Sequence, residues 1–168
     1  ALYYRNNVVG TLDLLDACKA QGIKDIVFAS SAATYGSPDD VCSTENTYTP
    51  MNPYGWSKRM TEIMLEDYAR AYNINSVSLR FFNVAGADID GEMGQEKQAT
   101  HIIARIIENT IAGNVFQLYG DDYNTPDGTN VRDYIHVDDV ASGIERSIVY
   151  LENNPGAHVF NLGNKNGY

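Results

Sequence analysis

Hydrophobic residues in the first third of the chain follow first a helical and then a strand-like pattern. Residues 3–21 carry apolar side chains at the spacing of an amphipathic helix, and Gly22 is a residue that ends helices. The unbroken apolar run at 26–29 predicts a buried strand, which we expect at the centre of a parallel sheet. Glycine and proline among polar residues then predict a long loop over residues 36–53.

A second helix and a second strand follow that loop. The helical pattern begins at Tyr54 and continues to Tyr72, with Pro53 where proline favours a helix start. Residues 76–82 have the pattern of the next strand. The order helix, strand, loop, helix, strand predicts an α/β fold with a parallel sheet and crossover helices. Ligands of such sheets bind beyond the carboxyl ends of the strands, so the residues that follow each strand are the first site candidates.

The second half of the chain predicts a different mixture of elements. Residues 98–113 are expected to form a helix with an apolar stripe that packs into a core. That stripe consists of Ile102, Ile103, Ile106, Ile107 and Ile111. The remaining predicted elements are a short strand at 116–119, a polar turn at 121–130, a strand at 131–137, a helix capped by Asp138 or Asp139 that ends near Leu151, and a strand at 159–162.

A tyrosine and a lysine on the second predicted helix have the spacing of an acid–base pair. Tyr54 and Lys58 are four residues apart, about one helical turn, so both project from one face. A nearby ammonium favours phenolate over phenol. Ser31 follows the first predicted strand and can share a substrate hydroxyl with that phenol. The three residues predict a general base that takes a proton from an alcohol as its carbon loses hydride.

Composition and charge restrict the class of partner. The 168 residues suffice for one domain, and the formal net charge is −10. Such an acidic chain is not expected to bind nucleic acid or an anionic membrane, although a few cations suffice for a phosphate-bearing ligand. Cys18 and Cys42 have no metal-site spacing, which favours reduced thiols and a cytoplasmic location. Because Ala1-Leu2-Tyr3-Tyr4 has the pattern of a helix interior, we expect the sequence to be a segment of a longer protein.

Four motifs together resemble a known superfamily. They are Ser30-Ser31-Ala32-Ala33-Thr34-Tyr35-Gly36, Tyr54-x-x-x-Lys58, Arg80-Phe81-Phe82-Asn83-Val84-Ala85-Gly86-Ala87, and Arg132-Asp133-Tyr134-Ile135-His136-Val137-x-Asp139. Their order is similar to that of the extended short-chain dehydrogenase/reductase superfamily, which has a Rossmann-like parallel sheet. Within it, the stretch from Gly120 to Val137, and Asn6-Asn7-Val8-x-Gly10-Thr11, resemble the UDP-glucose 4-epimerases.

The resemblance implies NAD as the cofactor, a UDP-sugar as the substrate and specific residue roles. Inversion at C4 of a UDP-hexose through a transient 4-keto sugar is the implied reaction, and no metal is implied. The implied catalytic residues are Tyr54, Lys58 and Ser31; the implied cofactor-binding residues are Asn6, Ser30, Ser31, Tyr54, Lys58 and Phe82; the implied substrate-binding residues are Ser31, Tyr54, Asn83 and Arg132.

The resemblance also implies a division into two regions and one missing part. Residues 1–87 correspond to part of the NAD-binding domain, and residues 88–168 to part of the substrate-binding region, with a return segment at about 131–150. The superfamily's Gly-x-x-Gly-x-x-Gly phosphate loop does not occur in this sequence. We therefore expect this segment alone to bind NAD poorly and to be inactive. A homodimer through the helices at 3–21 and 54–72 is expected when the protein is full length.

Several alternatives remain open at the level of the sequence. A 4-epimerase of another sugar shares the same core, whereas a 4,6-dehydratase is disfavoured because Ala32-Ala33-Thr34 stands where dehydratases carry an Asp-Glu pair. A non-catalytic NAD-binding scaffold is a further alternative, although such proteins often lose the tyrosine or the lysine. Taken singly, each motif also has a structural reading. The serines and Asn83 can be turn residues, Arg132 can pair with Asp133, His136 can be structural, and the acidic residues at 121, 122 and 127 favour a turn over a calcium site.

Overall fold

The computed structural model describes residues 1–37, 42–45, 47–95 and 100–168. Its elements, in chain order, are a π-helical segment at Tyr4–Val9, α1 (Gly10–Gln21), β1 (Asp25–Ser31), a 3₁₀ turn at Ala32–Thr34, α2 (Pro53–Tyr72), β2 (Asn75–Phe81), β3 (Asn83–Ala85), α3 (Ile102–Ile111), β4 (Tyr134–His136), α4 (Val137–Leu151) and β5 (Ala157–Leu162). None of the described helices is long and apolar enough to cross a membrane.

The main sheet is parallel, which confirms the predicted α/β fold. Its strand order is β1-β2-β5, and a second parallel pair joins β3 to β4. The prediction that the first strand lies at the centre is wrong for this sheet, because β2 is central and β1 pairs with β2 along one side only in the described chain. Five consecutive residues of β2 are buried, whereas most of β1 is half-exposed. An apolar run indicates burial but does not determine which strand receives two neighbours.

Helices α2 and α4 cover opposite faces of this sheet. Val77 and Leu79 of β2 form the apolar core with Leu151 of α4. Arg80, one position along the strand, bonds to Glu62 of α2 instead. Successive side chains of a strand point to opposite faces, so the two helices sandwich β2. One face of the strand is therefore apolar and the other is polar and charged.

The ends of the first two helices agree with their sequence signals. Gly22 follows α1 with a φ of 72°, in the left-handed region that glycine adopts readily. Pro53 is the first residue of α2, and the Asn52 side chain accepts a hydrogen bond from the Gly55 amide. The predicted loop before α2 lies only partly within the described residues, because 38–41 and 46 are outside them.

The isoleucine stripe of α3 does not lie in a core, which corrects the prediction for this helix. Its exposed fractions run from 37% at Ile103 to 82% at Ile111, and no residue of α3 is buried. Amphipathic spacing shows that a helix has an apolar face, but the partner of that face is set by the rest of the fold. Helix α3 begins at Ile102, whereas the prediction began at residue 98. Residues 98 and 99 lie outside the described residues.

Three further predictions for the second half need correction. Residues 116–119 form no strand, and the predicted strand at 131–137 is reduced to Tyr134–His136, which pairs with β3. Helix α4 is capped by His136, whose Nδ1 accepts from the Asp138 amide at 3.2 Å, and not by either aspartate. Histidine is an unusual cap, so the sequence signal favoured the carboxylates that follow it. The polar turn at 121–130 occurs as predicted, and the last strand, predicted at 159–162, begins two residues earlier, at Ala157.

Candidate active site

A cleft of 1550 Å³ opens at the carboxyl ends of β1 and β2. Five residues predicted for the site lie along it: Ser30, Ser31, Tyr54, Phe82 and Asn83. They come from the end of β1, the first turn of α2 and the junction of β2 and β3, which the parallel sheet places at one edge. Small-molecule pockets commonly measure about 300–1,000 Å³, so this cleft has room for more than one ligand group. Its other wall is largely apolar and includes Ile103 and Ile107 of α3.

Tyr54 reaches the cleft because the first turn of α2 packs closely against the turn after β1. A Cβ atom at Gly55 would lie 2.4 Å from the carbonyl oxygen of Ala33, so only glycine permits this approach. The phenol ring is half-buried and meets the ring of Tyr3 edge-on at 5.8 Å. Gly55 is a positioning residue that the sequence analysis missed. Its signal was a glycine in the first turn of a helix, where glycine otherwise only weakens the helix.

The ammonium of Lys58 is held by β1 and lies close to the Tyr54 ring. Its Nζ donates a hydrogen bond of 2.8 Å to the carbonyl of Ala29 and lies 5.6 Å from the centre of the Tyr54 ring. It also lies 4.9 Å from the Phe28 ring. Burial lowers the pKa of Lys58 from its usual value, because desolvation disfavours the charged form. The ammonium of Lys58 therefore lies near the Tyr54 side chain, as the four-residue spacing predicts, and the contact is made over the face of the ring.

The two strand-end serines make different hydrogen bonds. Ser31 Oγ accepts from the Ala33 amide at 3.2 Å, and a hydroxyl that accepts still has a proton to donate to a ligand. Ser30, only 2% exposed, donates its hydroxyl proton to Glu62 Oε1 at 2.6 Å. Ser31 thus keeps a donor for the cleft, while the donor of Ser30 is used within the protein.

Asn83 is fixed through one carbonyl group. Its backbone amide and its side-chain Nδ2 both donate to the carbonyl oxygen of Asp133, at 3.0 and 2.9 Å. Its side-chain oxygen remains as an acceptor at the cleft. The carboxylate of Asp133 accepts from the backbone amides of Asn164 and Lys165, so the same residue also anchors the turn after β5.

Three predicted site residues do not line the cleft: Lys58, described above, and Asn6 and Arg132. Asn6 is exposed on the π-helical segment, and its neighbour Asn7 donates to Ser57 Oγ at 2.9 Å. Arg132 is exposed, its guanidinium contacts the carbonyl of Val131, and its backbone pairs with Tyr168. The structure therefore brings five of the predicted residues together along the cleft and places Lys58 next to Tyr54, whereas Asn6 and Arg132 are not part of this group.

A buried charged network behind the cleft has no counterpart in the sequence analysis. The side chains of Glu62 and Arg80 are both 0% exposed and form two parallel hydrogen bonds of 2.9 and 2.8 Å. Arg80 also donates to the Tyr35 hydroxyl at 2.7 Å. Burial by itself lowers the pKa of Arg80, but hydrogen bonds to Glu62 and to the tyrosines outweigh it and leave that pKa raised. The guanidinium therefore stays charged.

The acidic turn near residue 127 is held by its own hydrogen bonds. Asp127 accepts from the amide and hydroxyl of Thr129, both at 2.9 Å, and these bonds lower the pKa of its carboxyl. Within the described ranges, no group of three or more histidine, cysteine, aspartate or glutamate residues has the geometry to hold a metal ion. These contacts support the turn reading of this segment.

Comparison with known proteins assigns a family to this fold and cleft. Residues 1–163 match the model of the NAD dependent epimerase/dehydratase family. The chain belongs to that family. The UDP-glucose 4-epimerase of Streptococcus mutans is 44% identical over 171 residues, which is 99% of this chain and 51% of that protein. The chain spans about half the length of the curated relatives it matches.

Solved structures of the family share this architecture. The UDP-glucose 4-epimerase of Brucella ovis in complex with NAD has a TM-score of 0.93 and 45% identity over 98% of this chain and 52% of that one. The UDP-glucose 4-epimerase of Bifidobacterium longum in complex with NAD⁺ and UDP has a TM-score of 0.85 and 37% identity over 98% of this chain and 51% of that one. The predicted resemblance and the Rossmann-like fold are confirmed.

Proposed function

We propose that the whole protein containing this chain interconverts UDP-galactose and UDP-glucose, with NAD as its cofactor. One observation carries the proposal: a phenol and a serine hydroxyl from separate elements line one cleft, with an ammonium over the phenol ring. In this arrangement the phenol can act as the base that removes a proton from an alcohol, and the serine can hydrogen-bond to the same hydroxyl. Similarity to UDP-glucose 4-epimerases supports the choice of substrate.

In this proposal, Tyr54 and Ser31 act together on the sugar 4-hydroxyl. Tyr54 takes the hydroxyl proton, Ser31 holds the hydroxyl through its free donor, and the ammonium of Lys58 lies over the Tyr54 ring. When bound, NAD supplies reversible hydride chemistry at C4. The 4-keto sugar then presents its other face, and Tyr54 returns its proton to the oxygen as C4 is reduced. Protons and hydride both balance over the cycle, so the net reaction is an isomerisation.

The chain fits only part of NAD. Tyr54, Ser30 and Phe82 line a cleft large enough for a nicotinamide riboside and a sugar, and Lys58 lies next to the Tyr54 ring. The chain contains no glycine-rich phosphate loop, which leaves the adenosine and diphosphate part without its usual donors. We propose that Lys58 and Tyr54 hold the nicotinamide ribose, and that Asn6 joins them at the edge of this region.

The substrate side of the proposal involves Asn83 and Arg132. The free acceptor of Asn83 lies on the cleft and suits a sugar hydroxyl. Arg132 is exposed and its guanidinium has donors left for phosphate oxygens, although it lies outside the cleft lining. We assign it to the UDP diphosphate, which extends beyond the sugar.

The broader organisation is also proposed. Residues 1–87 would belong to the NAD-binding domain and residues 88–168 to the substrate region, and the packing of α4 on β1 and β2 supports a return at about 131–150. A homodimer through the helices at 3–21 and 54–72 is supported by a shared apolar face of α2: Trp56, Met60 and Ile63 are exposed at spacings of four and three residues. Cys18 and Cys42 are free, which fits a cytoplasmic location.

A direct assay tests the proposed reaction. The whole protein is mixed with UDP-galactose without added oxidant, and the products are separated by chromatography. We expect UDP-glucose to accumulate to a fixed equilibrium ratio, because the reaction consumes no cofactor. UDP-N-acetylglucosamine and UDP-arabinose serve as matched substrates, and faster conversion of either would move the assignment to another 4-epimerase. Loss of water from the sugar would instead identify a dehydratase, and no conversion of any of them would leave the scaffold reading.

A further inference from the structure

The buried pair of Glu62 and Arg80 connects α2 to all three strands of the main sheet. Glu62 lies on α2, one turn after Lys58, and its Oε1 accepts from both Arg80 Nε on β2 and Ser30 Oγ on β1. Arg80 Nη1 donates to Tyr35 after the 3₁₀ turn. Tyr35 in turn donates to Asn161 of β5 at 2.6 Å. One continuous network thus crosses from the catalytic helix through all three strands of the main sheet.

This network and Lys58 fix the end of β1 at consecutive residues. Lys58 Nζ holds the carbonyl of Ala29, and Glu62 holds the hydroxyl of Ser30. On the far side, the backbone of Ala33 lies directly against Gly55. Ser31 lies between these contacts, and all three are made by α2, the helix that carries Tyr54. The separation of the serine hydroxyl from the phenol is therefore set by α2 itself.

Fold stability alone is a weak reason for such a pair. The side chains of both charged groups are fully buried, so both lose their hydration on folding. Their mutual attraction only about offsets this cost, and replacement of buried ion pairs by apolar residues is often neutral or stabilising. What the pair provides in addition is a fixed direction, because the guanidinium fork meets a carboxylate in one geometry. Catalysis depends on such direction, since a displacement of about 1 Å can reduce a rate about 100-fold.

We propose that Glu62 is a positioning residue that, through Ser30, sets the distance between the Ser31 hydroxyl and the Tyr54 phenol. The proposal rests on the epimerase function proposed above, and it assigns Ser30 to this contact with Glu62. Arg80 holds the carboxylate in place together with Arg59, whose Nη1 donates to Glu62 Oε2 at 3.1 Å, and Ser30 transmits that position to the strand end.

Replacing Ser30 with alanine tests the proposal with the smallest change. Ser30→Ala breaks the connection to β1 but leaves Glu62 paired with Arg80, so no buried charge loses its partner. In the whole protein we expect kcat for UDP-galactose to fall about 10- to 100-fold, with KM and bound NAD changed less than threefold. Ser76→Ala is the matched control, because Ser76 is a buried strand serine whose hydroxyl has no hydrogen-bond partner among the described residues. It should leave kcat unchanged.

The possible outcomes separate this inference from the proposed function. Wild-type kcat in Ser30→Ala, or an equal loss in Ser76→Ala, would overturn the positioning role while the epimerase assignment stands. A loss of bound NAD in Ser30→Ala would also overturn it and return Ser30 to the cofactor site. If the wild-type protein converts no nucleotide sugar, the proposed function fails. In that case, crystal structures of the wild type and of Ser30→Ala test the inference. We expect the Ser31 hydroxyl to move by about 0.5 Å or more between them. An unmoved hydroxyl contradicts it.

Glu62→Gln provides a second variant that keeps the size of the side chain. Glutamine retains one acceptor oxygen, so the bond from Ser30 can persist while the charge on Arg80 loses its counterion. We expect this variant to melt at a lower temperature and to retain more kcat than Ser30→Ala. A larger kcat loss than in Ser30→Ala, at a temperature where the variant is folded, would show that charge rather than position is decisive.

Discussion

At the scale of single residues, the candidate site is built from side chains that each make one contact within the protein and keep one group for a ligand. Ser31 accepts from an amide and keeps its proton, and Asn83 donates to a carbonyl and keeps an acceptor. Lys58 donates to Ala29 and remains within reach of the Tyr54 ring. Because these contacts lie within the protein, the groups are oriented before any ligand arrives, which reduces the cost of ordering them on binding.

The phenol is the group whose removal should affect chemistry most. Tyr54→Phe keeps the ring and its edge-on contact with Tyr3 but removes the acid–base hydroxyl. We expect kcat of the whole protein to fall about 10²- to 10⁴-fold, the range typical of a lost general base, with NAD binding largely intact. Steady-state kinetics and the absorbance of bound cofactor measure the two effects.

Tyr3→Phe is the matched control for that experiment. It removes a hydroxyl from the exposed neighbouring ring and should change kcat less than twofold. Near-normal turnover in Tyr54→Phe would rule out the assignment of the base. A comparable loss in both variants would show that the aromatic pair, and not the Tyr54 hydroxyl, is responsible.

At the scale of elements, α1 and α2 are joined by a hydrogen bond that depends on pH. Tyr68 of α2 donates its hydroxyl proton to Asp16 of α1 at 2.7 Å, and this bond raises the pKa of Tyr68 to about 12. A tyrosine in an unfolded chain has a pKa near 10. The contribution of this bond is therefore complete below about pH 10 and decreases as the pH approaches about 12.

Tyr68→Phe measures that contribution. Because the bond is exposed to solvent, we expect Tm to fall by only about 1–2 °C at pH 8. The difference in Tm between wild type and variant should shrink between pH 10 and pH 11.5. Tyr72→Phe is the control, since its ring meets Tyr68 edge-on and its hydroxyl has no hydrogen-bond partner among the described residues. A Tm difference that stays constant across this pH range would contradict the account.

At the scale of the whole molecule, several elements expose apolar side chains, and two helices expose them along one face. Helix α3 exposes its isoleucines, and α2 exposes Trp56, Met60 and Ile63 along one face. Exposed apolar patches of this kind commonly mark surfaces that another chain or segment covers. The apolar face of α2 belongs to one of the two helices that we propose for the dimer interface.

A charge placed on that face tests the proposed dimer. Ile63→Glu in the whole protein should shift the mass measured by light scattering from dimer to monomer, because an unpaired carboxylate in an apolar interface is costly. Ile148→Glu is the matched control on α4, where the isoleucine is also exposed. It should leave the mass unchanged. A dimer that survives Ile63→Glu, or that both variants disrupt equally, would exclude α2 as the specific interface.

Local sequence was sufficient where the cause of structure is local. Asn52 and Pro53 determine where α2 begins, Gly22 ends α1, and four-residue spacing places Lys58 one turn from Tyr54. The order of strands and helices likewise predicted a parallel sheet with its site at the carboxyl ends. These features depend on backbone geometry and on the spacing between neighbours in the chain, which the sequence displays directly.

The remaining features depend on contacts between residues far apart in the chain. Nothing in the sequence distinguishes Glu62 and Arg80 from surface charges, yet they form a buried pair because α2 crosses β2 at that point. The isoleucines of α3 have the spacing of a core helix, but this fold places no core against them. The sequence by itself determined which elements form and which chemistry they carry. Only the tertiary structure decided which side chains are enclosed, because burial depends on which element packs over each surface.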